Sequence, residues 1–178
     1  AHEALLVLKQ HGITRAIVAG SGDLAVGDPP PDKEGWDVAL RTFEDLDYYC
    51  VDNLPAELLT TFVENVSHDS GRRRTRLAVG IDVRNLASDL SRIGEWLSAV
   101  GALGYDHRLV FFDTRDDVLV KRYSETRRRH PLSHTGMPLS DAIAAERKRL
   151  APLRALADHV IDTTDLNVHQ LRKAVITE

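Results

Sequence analysis

The sequence predicts an α/β fold built on a parallel sheet of about five strands, and three observations carry that expectation. Short apolar runs recur without polar alternation, as in Tyr48-Tyr49-Cys50-Val51, Leu77-Ala78-Val79-Gly80-Ile81, Leu109-Val110-Phe111-Phe112 and His159-Val160-Ile161. Such runs suit strands buried on both faces of a parallel sheet. Each run stops at a carboxylate: Asp52, Asp82, Asp113 and Asp162. Between the runs lie segments with apolar residues at helical spacing, the alternation expected of strands joined by crossover helices. In open parallel sheets, ligands bind outside the carboxyl ends of the strands. Four carboxylates there would make the edge polar and cation-demanding, although each aspartate taken singly also reads as a cap on the following helix.

Taken in order, residues 2–11 read as a helical extension with Leu5, Leu6 and Leu8 apolar, ending near Gly12. Ile13 to Ala19 is the expected first strand, and Gly20 to Gly35, rich in Gly, Pro and Asp, is an aperiodic loop. A helix from about Asp37 to Leu46 places Val38, Phe43 and Leu46 on one side. Pro55 suits the first turn of the next helix, which carries Leu58, Leu59, Phe62, Val63 and Val66. A polar turn with Arg72, Arg73 and Arg74 follows. Asn85 is then the expected cap of a helix running toward Gly101 or Gly104, with Leu86, Leu90, Ile93 and Leu97 inward. The helix near 116–129 buries Val118, Leu119 and Tyr123 before turning basic. His130 to Leu139 reads as a loop, a helix from Ser140 is expected to be interrupted near Pro152, and Asn167 opens the last helix.

A chain of 178 residues is one ordinary domain with a substantial core. No apolar run approaches the ~18 residues that a membrane span needs, and no signal peptide is visible. The single cysteine, Cys50, excludes an internal disulfide and lies inside an apolar run, so it reads as a core residue. Both features lead to the expectation of a cytoplasmic protein. The net charge of −4 argues against bulk affinity for nucleic acid, even though the basic residues cluster. The histidines show no metal-ligand spacing.

Several blocks, in the same order along residues 15–175, resemble the amino-terminal domain of the RapZ/YvcJ family. They are Phe43-Glu44-Asp45-Leu46, Tyr48 to Pro55, Gly80 to Asn85, Arg122 to Ser133, Leu150 to Arg154 and Asn167 to Leu171. The resemblance implies a P-loop NTPase fold of the nucleotide-kinase-like type that binds ATP or GTP with Mg²⁺. It also implies, in the full-length family, a further carboxyl-terminal domain absent from this chain, and delivery of small regulatory RNA to a ribonuclease. Oligomer formation is left open. By this match Asp52 would bind Mg²⁺, through water as that ion prefers. Asp82, Val83, Arg84 and Asn85 fall on the guanine-nucleotide segment. Arg127 and Arg128, with Arg122 and Arg129 beside them, resemble the arginine lid that closes over phosphates. Read without the match, the same arginines form a solvated basic helix face.

The sequence departs from the family at the phosphate loop. A G-x-x-x-x-G-K-[ST] loop cradles phosphate with backbone N–H groups, a lysine and a hydroxyl on Mg²⁺. Here Gly20, Ser21, Gly22 and Gly27 keep the glycine spacing, but Asp28 and Pro29 stand where Lys and Ser/Thr belong. Alignment on Gly35 instead puts Trp36 and Asp37 there. Lys33 is the loop's lone cation, set among Asp23, Asp28, Asp32 and Glu34. Asp47 also replaces the glycine that the family tends to carry before its paired aromatics. Three functions of different kind follow as expectations. One is a nucleotide-binding regulatory domain with weak or no hydrolysis. The others are a non-catalytic RNA or protein adapter that has lost the nucleotide, and an active small-molecule kinase or NTPase.

Overall fold

The computed structural model describes residues 3–10, 18–19, 35–68, 76–81, 89–126, 130, 132–133 and 136–177. Its strands are β1 (Glu3–Gln10), β2 (Val18–Ala19), β3 (Tyr49–Val51), β4 (Arg76–Ile81), β5 (Tyr105–Asp113) and β6 (His159–Asp162). They form one sheet in the order β3-β4-β2-β1-β5-β6, with β1 also paired directly to β4. The helices are α1 (Gly35–Asp45), α2 (Leu59–His68), α3 (Ile93–Ala102), α4 (Asp116–Thr126), α5 (Leu139–Leu156) and α6 (Val168–Thr177). Short 3-10 turns, Ala56–Leu58 and Leu90–Arg92, precede α2 and α3. No helix among the described residues is long and apolar enough to cross a membrane.

The α/β architecture is present, with parallel pairing of β2 and β3 to β4 and of β5 to β6. The expectation of a purely parallel sheet and of a helix over residues 2–11 is corrected. That segment is β1, antiparallel to β4 and β5, with Ala4 opposite both Ile81 and Phe111. An apolar run such as Leu5-Leu6-Val7-Leu8 cannot be assigned to helix or strand by periodicity alone. Hydrogen bonding to strands on both sides decides it. The same pairing lengthens β5, whose Gln10↔Tyr105 to Val7↔Arg108 contacts carry it back through the polar Asp106, His107 and Arg108.

Side chains on β4 and β5 alternate between two buried clusters. Leu77, Val79, Ile81, Leu109 and Phe111 meet Leu59 and Val63 of α2, Ile93 and Leu97 of α3, and Leu150 and Leu153 of α5. Ala78, Val110 and Phe112 turn the other way, onto Ala39, Leu40 and Phe43 of α1 and Leu171 and Val175 of α6. All eight strand residues are 2 % exposed or less. Burial on both faces explains why these runs lack polar alternation.

Helix ends follow local chemistry. Asn167 and Gln170 form a reciprocal cap at α6: Gln170 N–H donates to Asn167 Oδ1 and Asn167 N–H to Gln170 Oε1, both at 2.9 Å. Asn85 lies outside the described residues. The Leu90–Arg92 turn is capped by Asp89, whose Oδ1 accepts the Ser91 N–H at 3.1 Å. The expected interruption at Pro152 does not occur, and α5 runs through it to Leu156. Pro152 can donate nothing to the Lys148 carbonyl four residues back, but Lys148 is on the exposed side, where water can replace that bond.

α1 ends in a Schellman turn. Tyr48 N–H donates to Phe43 O at 3.0 Å and Asp47 N–H to Glu44 O at 2.9 Å, while the Tyr48 and Phe43 rings meet edge-to-face at 5.2 Å. This geometry needs a left-handed residue, and Asp47 supplies it at φ 67°. A glycine there would carry no Cβ penalty. Asp47→Gly should therefore stabilise the chain by roughly 0.5–1 kcal/mol in urea unfolding; a destabilised variant would refute the assignment. In the core, Phe112→Ala should cost about 3–5 kcal/mol, whereas Val160→Ala on edge strand β6 should change stability by under about 0.5 kcal/mol. Equal effects at the two sites would contradict the two-faced packing.

Candidate functional site

The carboxyl edge of the sheet is fixed by strand register. Asp52 follows β3 just beyond the Val51↔Val79 pair, and Asp113 is paired with Asp162 at the ends of β5 and β6. Because Ala4 pairs with both Ile81 and Phe111, the ends of β4 and β5 are level. Asp52, Asp113 and Asp162 thus share one edge. Asp82 continues β4 in sequence and lies outside the described residues. Three strand intervals, β3 to β4 to β1 to β5, separate Asp52 from Asp113. At about 4.8 Å per interval that is roughly 14 Å, too far for one ion to bind both.

The picture of a uniformly cation-demanding edge is corrected at Asp113. Its Oδ1 accepts from Arg147 Nη1 and from the Thr114 N–H, each at 2.9 Å, and its Oδ2 from Arg154 Nε at 3.1 Å. Arg147 also donates to Thr114 O at 2.6 Å and to Asp116 Oδ1, joining β5, α4 and α5. Burial works against the Arg147 charge, but its hydrogen bonds to Asp116 and Asp113 outweigh that and hold its guanidinium above the usual range. A cleft of about 190 Å³ lined by Phe111, Arg147, Ala151, Arg154 and Ala155 opens beside this cluster. Both of its cations already answer Asp113. Sequence reasoning missed Arg147 altogether, since nothing in the local pattern says which strand end α5 crosses.

Asp162 behaves as a turn former. Its Oδ1 accepts the Thr164 N–H at 2.9 Å. Next to it, Thr163 N–H donates to Asp113 O at 2.8 Å, and the Thr114 and Thr163 hydroxyls hydrogen-bond each other. Arg122 closes this group from α4: buried, it donates through Nη2 to the carbonyls of Thr163 at 3.1 Å and Thr164 at 3.4 Å. Burial lowers its pKa, opposed by the charges of Asp165 and Glu125. Arg122 is therefore a brace for the β6–α6 turn, which corrects its grouping with the lid arginines.

At β3, Asn53 adopts a left-handed φ of 60°, and Leu54 N–H donates to Gly80 O at 2.8 Å. That turn sets the exposed Asp52 at the mouth between β3 and β4. Asn is among the few residues that tolerate such a φ, so the dipeptide Asp52-Asn53 before Leu54-Pro55 was the signal for this turn. Cys50 behaves as core: burial, with the Glu44 charge, pushes its thiol up to about 12, and its Sγ–H points to Leu40 O at 3.4 Å. Of the phosphate-loop residues, Gly35 is the first residue of α1. Gly20, Ser21, Gly22, Gly27 and Lys33 lie outside the described residues, as do Val83, Arg84, Asn85, Arg127 and Arg128. Among the described residues no group of three or more His, Cys, Asp or Glu side chains is placed to hold a metal ion.

Residues 32–178 match the RapZ-like N-terminal domain. The chain belongs to the RapZ-like family. Among its relatives, a nucleotide-binding protein of Xanthomonas euvesicatoria pv. vesicatoria is 56 % identical over 144 residues, covering 81 % of this chain and 51 % of the relative. A nucleotide-binding protein of Stenotrophomonas maltophilia is 56 % identical over 146 residues, covering 81 % of this chain and 49 % of the relative. The chain thus spans about half the length of the curated relatives it matches. The RapZ-like match begins at residue 32, so it takes in Lys33 and Gly35 of the candidate phosphate loop and leaves out Gly20 to Gly27.

Asp162 gives a test of the edge electrostatics. Hydrogen bonding from Thr164 holds its carboxyl below the ordinary aspartate value of 3.8. A carboxyl lowered on folding stabilises the fold above its unfolded pKa, and that stability is lost as pH falls through the folded value. NMR titration should find Asp162 below free aspartate, and Asp162→Asn should flatten the acid limb of stability below about pH 4. A midpoint at or above free aspartate would refute the turn-forming role.

Proposed function

We propose that this RapZ-like chain is a nucleotide-binding regulatory domain that takes ATP or GTP with Mg²⁺ and hydrolyses it weakly or not at all. The observation that carries this reading is membership of a family whose relatives are named nucleotide-binding proteins, joined to a loop lacking the Lys and Ser/Thr of a phosphate cradle. Asp52, set at the carboxyl edge by the Asn53 turn, suits a water-mediated Mg²⁺. Asp82, Val83, Arg84 and Asn85 would contact the nucleotide, with Arg84 offering a planar fork to phosphate. Arg127 and Arg128 would answer the phosphate charge.

Hydrolysis is expected to be slow for an electrostatic reason. Phosphoryl transfer depends on positioning and positive charge around the γ-phosphate. At an effective dielectric of about 20, one carboxylate about 5 Å from a phosphate charge costs roughly 3 kcal/mol. Asp28 in one register replaces the lysine's attraction with that repulsion; in the other, Trp36 replaces the lysine and Asp37 the hydroxyl. The same loop favours a second reading, an RNA or protein adapter that has kept the fold and discarded the nucleotide.

Calorimetric titration with ATP and GTP, with and without Mg²⁺, separates the two. Mg²⁺-dependent binding weakened by Arg84→Ala supports the nucleotide reading, and no heat with either nucleotide supports the adapter. For turnover, a variant with a restored Gly-Lys-Ser loop should hydrolyse GTP or ATP at least about a hundredfold faster than the natural chain. Equal rates would show that Lys33 or the arginine segment supplies the missing charge.

A further inference from the structure

One face of α5 is left partly unfilled, and the chemistry around the gap selects what can enter it. Arg147, Ala151, Arg154 and Ala155 recur at helical spacing, while Leu150 and Leu153 on the same helix are fully buried. With Phe111 of β5 they line the cleft of about 190 Å³ beside Asp113. The two alanines leave room that longer side chains would fill. The polar groups at the rim are already matched. Arg147 donates through Nε to Asp116 Oδ1 at 2.7 Å, through Nη1 to Asp113 Oδ1 at 2.9 Å and through Nη2 to Thr114 O at 2.6 Å. All three nitrogens are thus engaged, and such bonds lie in the guanidinium plane. What Arg147 still offers an occupant is its flat face, a surface on which aromatic rings stack. Charge gives the same answer. Arg147 and Arg154 are balanced by Asp113 and Asp116, so the cluster has no excess positive charge to draw a phosphate. Size agrees as well: an enclosed apolar cavity of about 150 Å³ holds benzene, and this open cleft is somewhat larger.

We propose that this cleft is the seat of a nucleobase, a purine ring lying against the Arg147 face beside Phe111, Ala151 and Ala155. The proposal rests on the nucleotide reading, which supplies the identity of the ring. Asp52 and Asp113 stand roughly 14 Å apart along the sheet edge. An extended nucleoside triphosphate bridges a separation of that order, with its metal-bound phosphates toward Asp52 and its base toward Asp113. Arg154 gives its Nε to Asp113 at 3.1 Å and is the more exposed of the two arginines. Its remaining N–H groups can answer acceptors on the edge of the base.

Methyl NMR of the 178-residue chain tests the assignment without a variant. ATP or GTP with Mg²⁺ should move the Ala151 and Ala155 methyl signals by ring current. Adenosine or guanosine, which carry no phosphate, should move the same two. Ala151→Leu fills the cleft with a residue that helices accept readily. Its affinity for ATP or GTP should fall by about tenfold or more, the scale of a lost base-stacking contact. Should that variant not fold, the methyl shifts of the natural chain decide alone. Nucleotide binding that leaves both methyls unmoved, or that Ala151→Leu does not weaken, would overturn the base seat and leave the nucleotide reading standing. Nucleosides that shift both methyls where neither nucleotide binds would support the base seat and overturn the phosphate assignment at Asp52. No heat with ATP or GTP, together with no methyl shift from either nucleoside, would overturn both.

Discussion

A strand covered on both faces can carry polar chemistry only at its ends, and β4 and β5 are under that constraint. Their middle residues are closed off by α2, α3 and α5 on one side and by α1 and α6 on the other. Charge is therefore pushed to the strand termini, where the chain leaves the core. The end of β5 shows how the fold handles the result. A carboxylate beside a packed sheet edge is costly unless its oxygens are satisfied. Asp113 has both of them satisfied, by two arginines on α5 and by the next backbone amide. One side chain thereby ties α5 to the end of β5.

That arrangement divides the carboxyl edge into two halves of different character. On the β5–β6 side, Asp113 is held by Arg147 and Arg154, the exposed Asp162 accepts the Thr164 N–H, and Arg122 donates to the turn carbonyls. On the β3–β4 side, Asp52 stands exposed at a turn held by Leu54 and Gly80. Asp113 is neutralised by Arg147 and Arg154, which removes one like charge from the neighbourhood of Asp162.

The strands β4 and β5 were legible because burial on both faces writes an unbroken apolar run; β3 and β6 show similar runs although they are edge strands with Tyr49 and Val160 exposed, and α6 was legible from Asn167 at its start. β1 was not legible. Its four apolar residues suit a helix or a strand equally, and only the distant partners on β4 and β5 distinguish them. Asp52 was readable as a strand-end carboxylate, but the fate of Asp113 was not, since Arg147 and Arg154 approach it from 34 and 41 residues away. Arg122 was misread for a related reason. In sequence it stands with other arginines, and only the three-dimensional position of the Thr163 and Thr164 carbonyls separates it from them. Asp47 shows the opposite case, in which a departure from the family pattern was visible and the structure supplied its cost as a left-handed backbone.

The positions of Arg122 and His130 bear on how an arginine segment can work at all. Cations that close on phosphate lose affinity if the chain carrying them must be ordered on binding, because that ordering entropy is subtracted from the contact energy. Anchors on both sides reduce the loss. Before the segment, Arg122 ties the last turns of α4 to the β6–α6 turn. After it, His130 is held by α5 through Glu146 and by its own backbone through Leu132. Arg127, Arg128 and Arg129 fall between these two residues in sequence and lie outside the described residues. The two anchors differ in kind. A guanidinium stays charged at any pH the protein meets, whereas an imidazole does not.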